Sequence, residues 1–420
     1  MYRVTQLSNG LTIATAEMPH MASVSLGLWA AVGSRMETAA QNGAAHFIEH
    51  MLFKGTRRRS AREISQAVEG VGGYLNAFTA EENSCFYSRG RHTHFAELFD
   101  VLADMYLHSL FAPPELGRER AVIQEEISMY MDQPAQRVQE LLNQTLWPGQ
   151  PLGAPITGTH RSLDRLDRRT LLAFLGAHYG TRSTLITAAG HVQHDQAVRT
   201  VQRLAKHFPA GQRPCFTPAQ TRQKEPRVRL FTQKTEQTQI ALGIRTCSRH
   251  DERRHAVRLL NVLLGENMSS RLFQIVREDR GLAYSIYSST SFFDDVGDLV
   301  ISAGLDADRL PQTLRLIVRE LRRLARQAPS RAELHRARDY LIGQLDLGLE
   351  STETQMNWLG EQWLGYGKIV LPAVVKERYA AVTPSQIRAA ASDFFRPEHL
   401  NLALVSPLKS ATGLPKLLSF

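Results

Sequence analysis

The amino-acid sequence predicts an α+β protein of two homologous domains, each a mostly antiparallel sheet with helices packed on one face. Three observations carry that prediction. Short apolar and β-branched runs, such as residues 24–32 and 239–244, are bounded by turn residues. The helical segments come in groups instead of alternating singly with strands, which points to antiparallel pairing. The order of elements is repeated on either side of a proline-rich stretch.

From the amino terminus, Met1 to Glu17 reads as a strand, an Asn9-Gly10 turn and a second strand, with Val4, Leu7, Leu11 and Ile13 as apolar members. This is not the basic end, apolar helix and cleavage site of a secretory leader, so a cytoplasmic protein is expected. A strand, two helices, a strand pair and long helices follow. Regular periodicity then stops at residues 208–226, where Pro209, Gly211, Pro214, Pro218 and Pro226 interrupt a polar stretch. A linker over 209–226 is therefore expected between a first domain, 1–208, and a second, 227–420. Without gaps, Ser60 to Thr79 lies against Ser270 to Ser289, and Tyr74 falls on Tyr284, fourteen residues after each leading serine. The halves read as diverged copies.

Composition narrows the class. A chain of 420 residues with 43% hydrophobic and 22% charged residues is neither disordered nor collagen-like. Cys85, Cys215 and Cys247, odd in number and far apart, make neither a disulfide framework nor a thiolate zinc site. The longest apolar candidates, such as residues 259–265, fall well short of a bilayer span, so no membrane partner is expected. The net charge of +9 is spread over local clusters, Arg57-Arg58-Arg59 and Arg319 to Arg326, that read as solvated helix faces. Nucleic acid is not an expected partner.

The chemistry concentrates at His46-Phe47-Ile48-Glu49-His50. Residues four apart on a helix lie on one face, so His46 and His50 can offer imidazole nitrogens to one metal ion. Glu49 stands close enough to reach a water at that ion and is a candidate general base. The order is the reverse of the commoner H-E-x-x-H. Ala44, Ala45, Phe47, Ile48, Leu52 and Phe53 surround these polar groups, and burying such a cluster without a purpose would be costly.

Two histidines require a third protein ligand if a zinc site is to keep one open position. A helix opening at Pro113-Pro114 carries Glu115, Glu119, Glu125 and Glu126. Glu119 and Glu126, seven residues apart, share a face, whereas Glu125 points about 100° away. One of the pair can ligate while the other orients a ligand. Spacing does not say which, and carboxylates near a helix start also suit its dipole.

Taken together, His46-x-x-Glu49-His50 followed by Met-Leu-Phe-Lys-Gly-Thr (Met51 to Thr56), and Glu119 to Ile127 beyond, resemble the inverted-motif zinc peptidases related to pitrilysin, insulin-degrading enzyme and the mitochondrial processing peptidase. The wording and length are most similar to the processing-peptidase-like group. The resemblance implies one zinc ion per chain, with Glu126, 76 residues after His50, as third ligand and Glu119 as the supporting carboxylate. It implies that Leu75 to Thr79, with Asn76, Ala77 and Phe78 at its centre, is an edge strand to which an extended substrate adds by backbone hydrogen bonds. It also makes Arg277 and Tyr284 a pair that grips a substrate carbonyl or oxyanion. By spacing alone Arg277 reads as a salt-bridged surface residue and Tyr284 as a core tyrosine.

The second half has no zinc motif of its own: Ala256, Leu259 and Leu260 stand opposite His46, Glu49 and His50, and Ala67 stands opposite Arg277. Each half thus brings what the other lacks, and the site is expected between them. The expected function is zinc-dependent endopeptidase action on extended peptides or short unfolded segments in a closed chamber, with Glu49 activating the attacking water. A homodimer is expected from the resemblance, a heterodimer being the variant of it. The rival reading is a catalytically silent scaffold or core subunit of a larger complex.

Overall fold

A computed structural model describes residues 2–419. Among these residues eleven strands form two sheets. The first contains β1 (Tyr2–Gln6), β2 (Thr12–Glu17), β3 (Ser23–Ala30), β4 (Tyr74–Thr79), β5 (Ser84–Arg91) and β6 (Thr184–Gly190), in the order β1-β2-β6-β3-β5-β4. The second contains β7 (Arg227–Thr232), β8 (Thr238–Thr246), β9 (Ser285–Phe292), β10 (Gly297–Leu305) and β11 (Leu400–Ser406), in the order β7-β11-β8-β10-β9. Among the described residues only the β2–β6 and β7–β11 pairs are parallel. With β1 set aside, the two orders superimpose strand for strand, as expected for diverged copies. Tyr74 opens β4, and Tyr284, immediately before β9, donates its backbone N–H to Gly304. The amino-terminal hairpin forms about a left-handed Gly10, with Met1 lying outside the described residues.

In the first half, α1 (Ala44–Leu52), α2 (Ala61–Glu69), α3 (Phe95–His108), α4 (Pro113–Asp132) and α5 (Pro134–Leu146) succeed one another. The α+β class and the mostly antiparallel sheets are as the sequence predicts. Each sheet also has one helix on its opposite face, and that helix comes from the other half of the sequence. The chain divides into two compact units, Met1–Ser128 with Ala154–Thr217 and Asp346–Ile369, and Met129–Gly153 with Pro218–Leu345 and Val370–Phe420. The domain division expected at 209–226 therefore needs a correction beyond its boundary, because residues 129–153 and 346–369 are exchanged between the halves.

The exchange follows from packing. On α5, Val138, Leu142 and Leu146 recur every four residues, forming an apolar stripe that packs with Ala241 of β8 and with Ala403 and Val405 of β11. Full burial of each aliphatic side chain is worth about 1.5–3 kcal/mol before entropic costs. In the first unit, Met356 and Leu359 of the helix Thr352–Tyr366 pack with Trp29, Cys85, Leu185 and Ala189. Both helices come so close to a central strand that only glycine fits beneath them. A Cβ on Gly27 of β3 would sit 2.4 Å from Met356 Sδ, and one on Gly243 of β8 would sit 2.8 Å from Leu146 Cδ1. Leu26-Gly27-Leu28 and Leu242-Gly243-Ile244 occupy matching strands, so the duplication preserves the point of contact.

Among the described residues no helix is long and apolar enough to cross a membrane.

Candidate metal centre

The helix that presents the histidines is fixed at its start. Gly43, at φ 92°, occupies the left-handed position before α1, where a Cβ would meet the Thr157 carbonyl at 2.9 Å. The buried carboxylate of Glu37 accepts the backbone N–H groups of Gly43 and Ala45, each at 2.8 Å. Its oxygens supply acceptors for first-turn N–H groups that have no intrahelical partner, and burial pushes the Glu37 pKa up to about 8. Ala44, Ala45, Phe47, Ile48, Met51 and Leu52 are all fully buried, which fixes the rotation of α1.

The partner helix, α4, opens with Pro113 and Pro114, whose missing N–H groups cost nothing in a first turn. Arg120 holds α4 in place by donating to the carbonyls of Leu163 and Leu166 at 3.0 and 2.8 Å. Leu116, Glu119, Ile123 and Ile127 face inward.

These two helices bring His46, His50 and Glu126 together. Glu126 Oε2 lies 3.9 Å from His46 Nε2 and 3.7 Å from His50 Nε2, and the three candidate ligand atoms all fall within 4.8 Å of one another. Bonds of about 2.0–2.1 Å to a tetrahedral zinc require ligand atoms roughly 3.3–3.4 Å apart, so small side-chain adjustments would close the set around an ion. Two imidazole nitrogens and a carboxylate oxygen suit zinc chemically. Burial, reinforced by the nearby His50, pushes the pKa of His46 down to about 3, leaving its imidazole neutral as a metal ligand must be. The buried His46 Nδ1 makes no hydrogen bond.

Glu119 lies on the same face of α4 as Glu126 but does a different job. Its Oε2 is 3.1 Å from His50 Nδ1, while its Oε1 is 2.9 Å from Lys54 Nζ. Geometry distinguishes the two carboxylates that spacing leaves equivalent. Glu126 is the one with an oxygen near both imidazole Nε2 atoms.

Glu49 points to the end of β4, where its Oε2 accepts a 2.6 Å hydrogen bond from Thr79 Oγ1. Burial raises its pKa above the usual carboxylate range, against the opposing effect of the Thr79 bond. Three supporting residues, Glu37, Lys54 and Thr79, have no role that sequence reasoning identifies. Lys54 and Thr79 carried a signal, as members of the Met51 to Thr56 motif and of the segment singled out as an edge strand, whereas Glu37 carried none.

Strand β4 does lie at an edge of its sheet, paired with β5 alone among the described residues. Phe78 packs edge-on against Trp29 with ring centres 5.5 Å apart, and Asn76 Nδ2 donates to the Tyr74 hydroxyl at 2.6 Å. Alternation along the strand puts Ala77 and Thr79 on the face towards Glu49 and the other two residues on the opposite face. What the strand offers along its free edge is therefore its backbone.

Arg277 and Tyr284 belong to the second unit. Arg277 stands over the Phe273 ring at 4.7 Å and is 5.9 Å from the centre of the Tyr284 ring. Tyr284 is 76% exposed, which overturns the core-tyrosine reading that spacing alone suggests. The pair is assembled and open to solvent, with Glu278 3.8 Å from the Arg277 guanidinium.

Comparison with known proteins decides the family. The model of the insulinase family, peptidase family M16, matches residues 12–160, and that of the peptidase M16 inactive domain matches residues 165–341. The chain belongs to peptidase family M16. Within this family, an uncharacterized zinc protease of Streptomyces coelicolor is 40% identical over 97% of this chain and 90% of its own. Another from Bacillus subtilis is 37% identical over 95% and 97% respectively. Among solved structures, a peptidase M16 inactive domain from Pseudomonas fluorescens superimposes with a TM-score of 0.90 at 20% identity, covering 98% of each chain. A chain of Complex III2 from Candida albicans does so at 0.86 and 17%, covering 100% of each.

Proposed function

We propose that this M16 chain is a zinc-dependent endopeptidase acting on extended peptides or short unfolded segments. The observation that carries the reading is the convergence of His46 Nε2, His50 Nε2 and Glu126 Oε2, with Glu49 alongside. Zinc in such a donor set supplies a Lewis acid for a carbonyl oxygen and lowers the pKa of a coordinated water to about 7. Thr79 occupies Oε2 of Glu49, which leaves Oε1 to take a proton from the water attacking the scissile carbonyl and return it to the departing amine. The substrate binds as an added strand along β4, through the backbone of Asn76, Ala77 and Phe78. Arg277 and Tyr284 donate to a substrate carbonyl or to the oxyanion formed on attack. The names of the Streptomyces and Bacillus relatives support zinc and proteolysis. The same reading has two copies of the chain forming a closed chamber in the cytoplasm.

The likeness to a chain of Complex III2 favours a second reading, a silent core subunit, but shares only the fold. The intact donor set and base weigh against it. Metal analysis with a peptide-mixture digest separates the two. One zinc per chain, with chelator-sensitive cleavage lost in Glu49→Gln while zinc is retained, is expected. A metal-free, inert protein would establish the core-subunit reading instead.

A further inference from the structure

Glu119 is 4% exposed, and its two oxygens are divided between two partners, one on α1 and one just beyond its cap. Oε2 faces His50 Nδ1 at 3.1 Å, and Oε1 faces Lys54 Nζ at 2.9 Å. Lys54 follows His50 by four residues, and the turn that closes α1 keeps the two side chains on the same side, with the Lys54 backbone N–H donating to Met51. The carboxylate is therefore clamped at both ends of its fork. A terminal carboxylate torsion is otherwise broad, so an oxygen without a partner would let the group swing. A buried carboxylate lacking a cation would also be expensive to hold in place.

We infer that Lys54 is a positioning residue for the metal centre: by holding Oε1 of Glu119 it aligns Oε2 on the Nδ1–H of His50, which leaves His50 Nε2 as the bare nitrogen directed at the ion. The inference rests on the zinc reading above. Lys54 touches neither ion nor substrate in this scheme and acts through Glu119. Its side chain is 31% exposed, so exchanging it for a chain of similar stem leaves the surrounding core packed.

The test measures zinc affinity, not turnover. Metal-free wild type, Lys54→Met and Lys54→Arg are titrated with zinc against a chromophoric chelator, and the His50 tautomer is read from imidazole nitrogen shifts in the metal-free proteins. Removing a group that orients a ligand weakens metal binding about 10–100-fold, and Lys54 stands one contact further out, so K54M should bind about tenfold more weakly. K54R, keeping the charge, should recover most of that loss. The tautomer carrying the proton on Nδ1 should dominate in wild type and lose population in K54M. Wild-type affinity together with an unchanged tautomer in K54M would overturn the role of Lys54 while leaving the zinc reading intact. A wild type that binds no zinc would instead overturn both. If K54M misfolds, Lys54→Gln, which also removes the charge, is measured in its place: weaker zinc binding with a loss of the Nδ1–H tautomer supports the role, and wild-type affinity with an unchanged tautomer overturns it.

Discussion

Thr79, the last residue of the edge strand β4, donates a 2.6 Å hydrogen bond to Glu49 on the helix beside it. The strand assigned to substrate and the base assigned to water are thereby joined by one hydroxyl. The bond opposes the effect of burial, which raises the Glu49 pKa. In Thr79→Val that opposition is gone and the base should ionise only at higher pH. The acid limb of the pH profile of kcat/KM should therefore move upward, with little change on the alkaline side. A limb that stays where it was would show that Thr79 has no hold on the base.

The same raised pKa has a consequence for stability. The folded chain keeps its proton on Glu49 to higher pH than the unfolded chain does. The stability from this group is full below the usual carboxylate range and falls as pH climbs through the raised value. Glutamine does not titrate. Metal-free Glu49→Gln should match wild type in acid and unfold at higher urea concentration at neutral and alkaline pH, and parallel curves across the whole range would contradict this.

Stripping zinc should lower the thermal midpoint, because a ligand bound only to the folded state stabilises it by about 2.7 kcal/mol at a hundredfold excess over Kd. Glu126→Ala removes the carboxylate that approaches both imidazoles. Its midpoint should be indifferent to chelator, and a chelator effect as large as in wild type would remove Glu126 from the ligand set.

At Gly360 a Cβ would lie 2.2 Å from the Trp29 ring, which is fully buried and cannot retreat. Gly360→Ala should cost about 1–3 kcal/mol by overpacking, read as a lower denaturant midpoint at constant slope. Full wild-type stability would show that the helix can lift off its sheet at no cost.

Much of this could be read from the chain alone, and the parts that could not have identifiable causes. The helix carrying His46 and His50 was legible because its spacing and apolar flanks agree, and the duplication because Ser60 to Thr79 and Ser270 to Ser289 keep register. Helical periodicity also put Glu119 and Glu126 on one face. It could not tell them apart, since their difference lies in how far along α1 each reaches. The helix exchange was invisible because an apolar stripe such as Val138, Leu142 and Leu146 specifies that a sheet will be covered, not which sheet. Tyr284 was misread in the opposite direction, since a tyrosine beside apolar residues is usually interior and this one is held outward. Glu37 escaped notice because its shortest bonds, both 2.8 Å, come from backbone N–H groups, which leave no trace in side-chain patterns.

The exchanged helices also constrain how the protein is made. All six strands of the first sheet have been synthesised by residue 190, yet the helix that roofs Trp29, Cys85 and Leu185 begins only at Thr352. Until then the nascent sheet carries a sticky, uncovered surface on the ribosome, and α5, complete at Leu146, waits longer still for β11, which begins at Leu400. Neither half of the sequence, expressed by itself from a split gene, contains the roof for its own sheet.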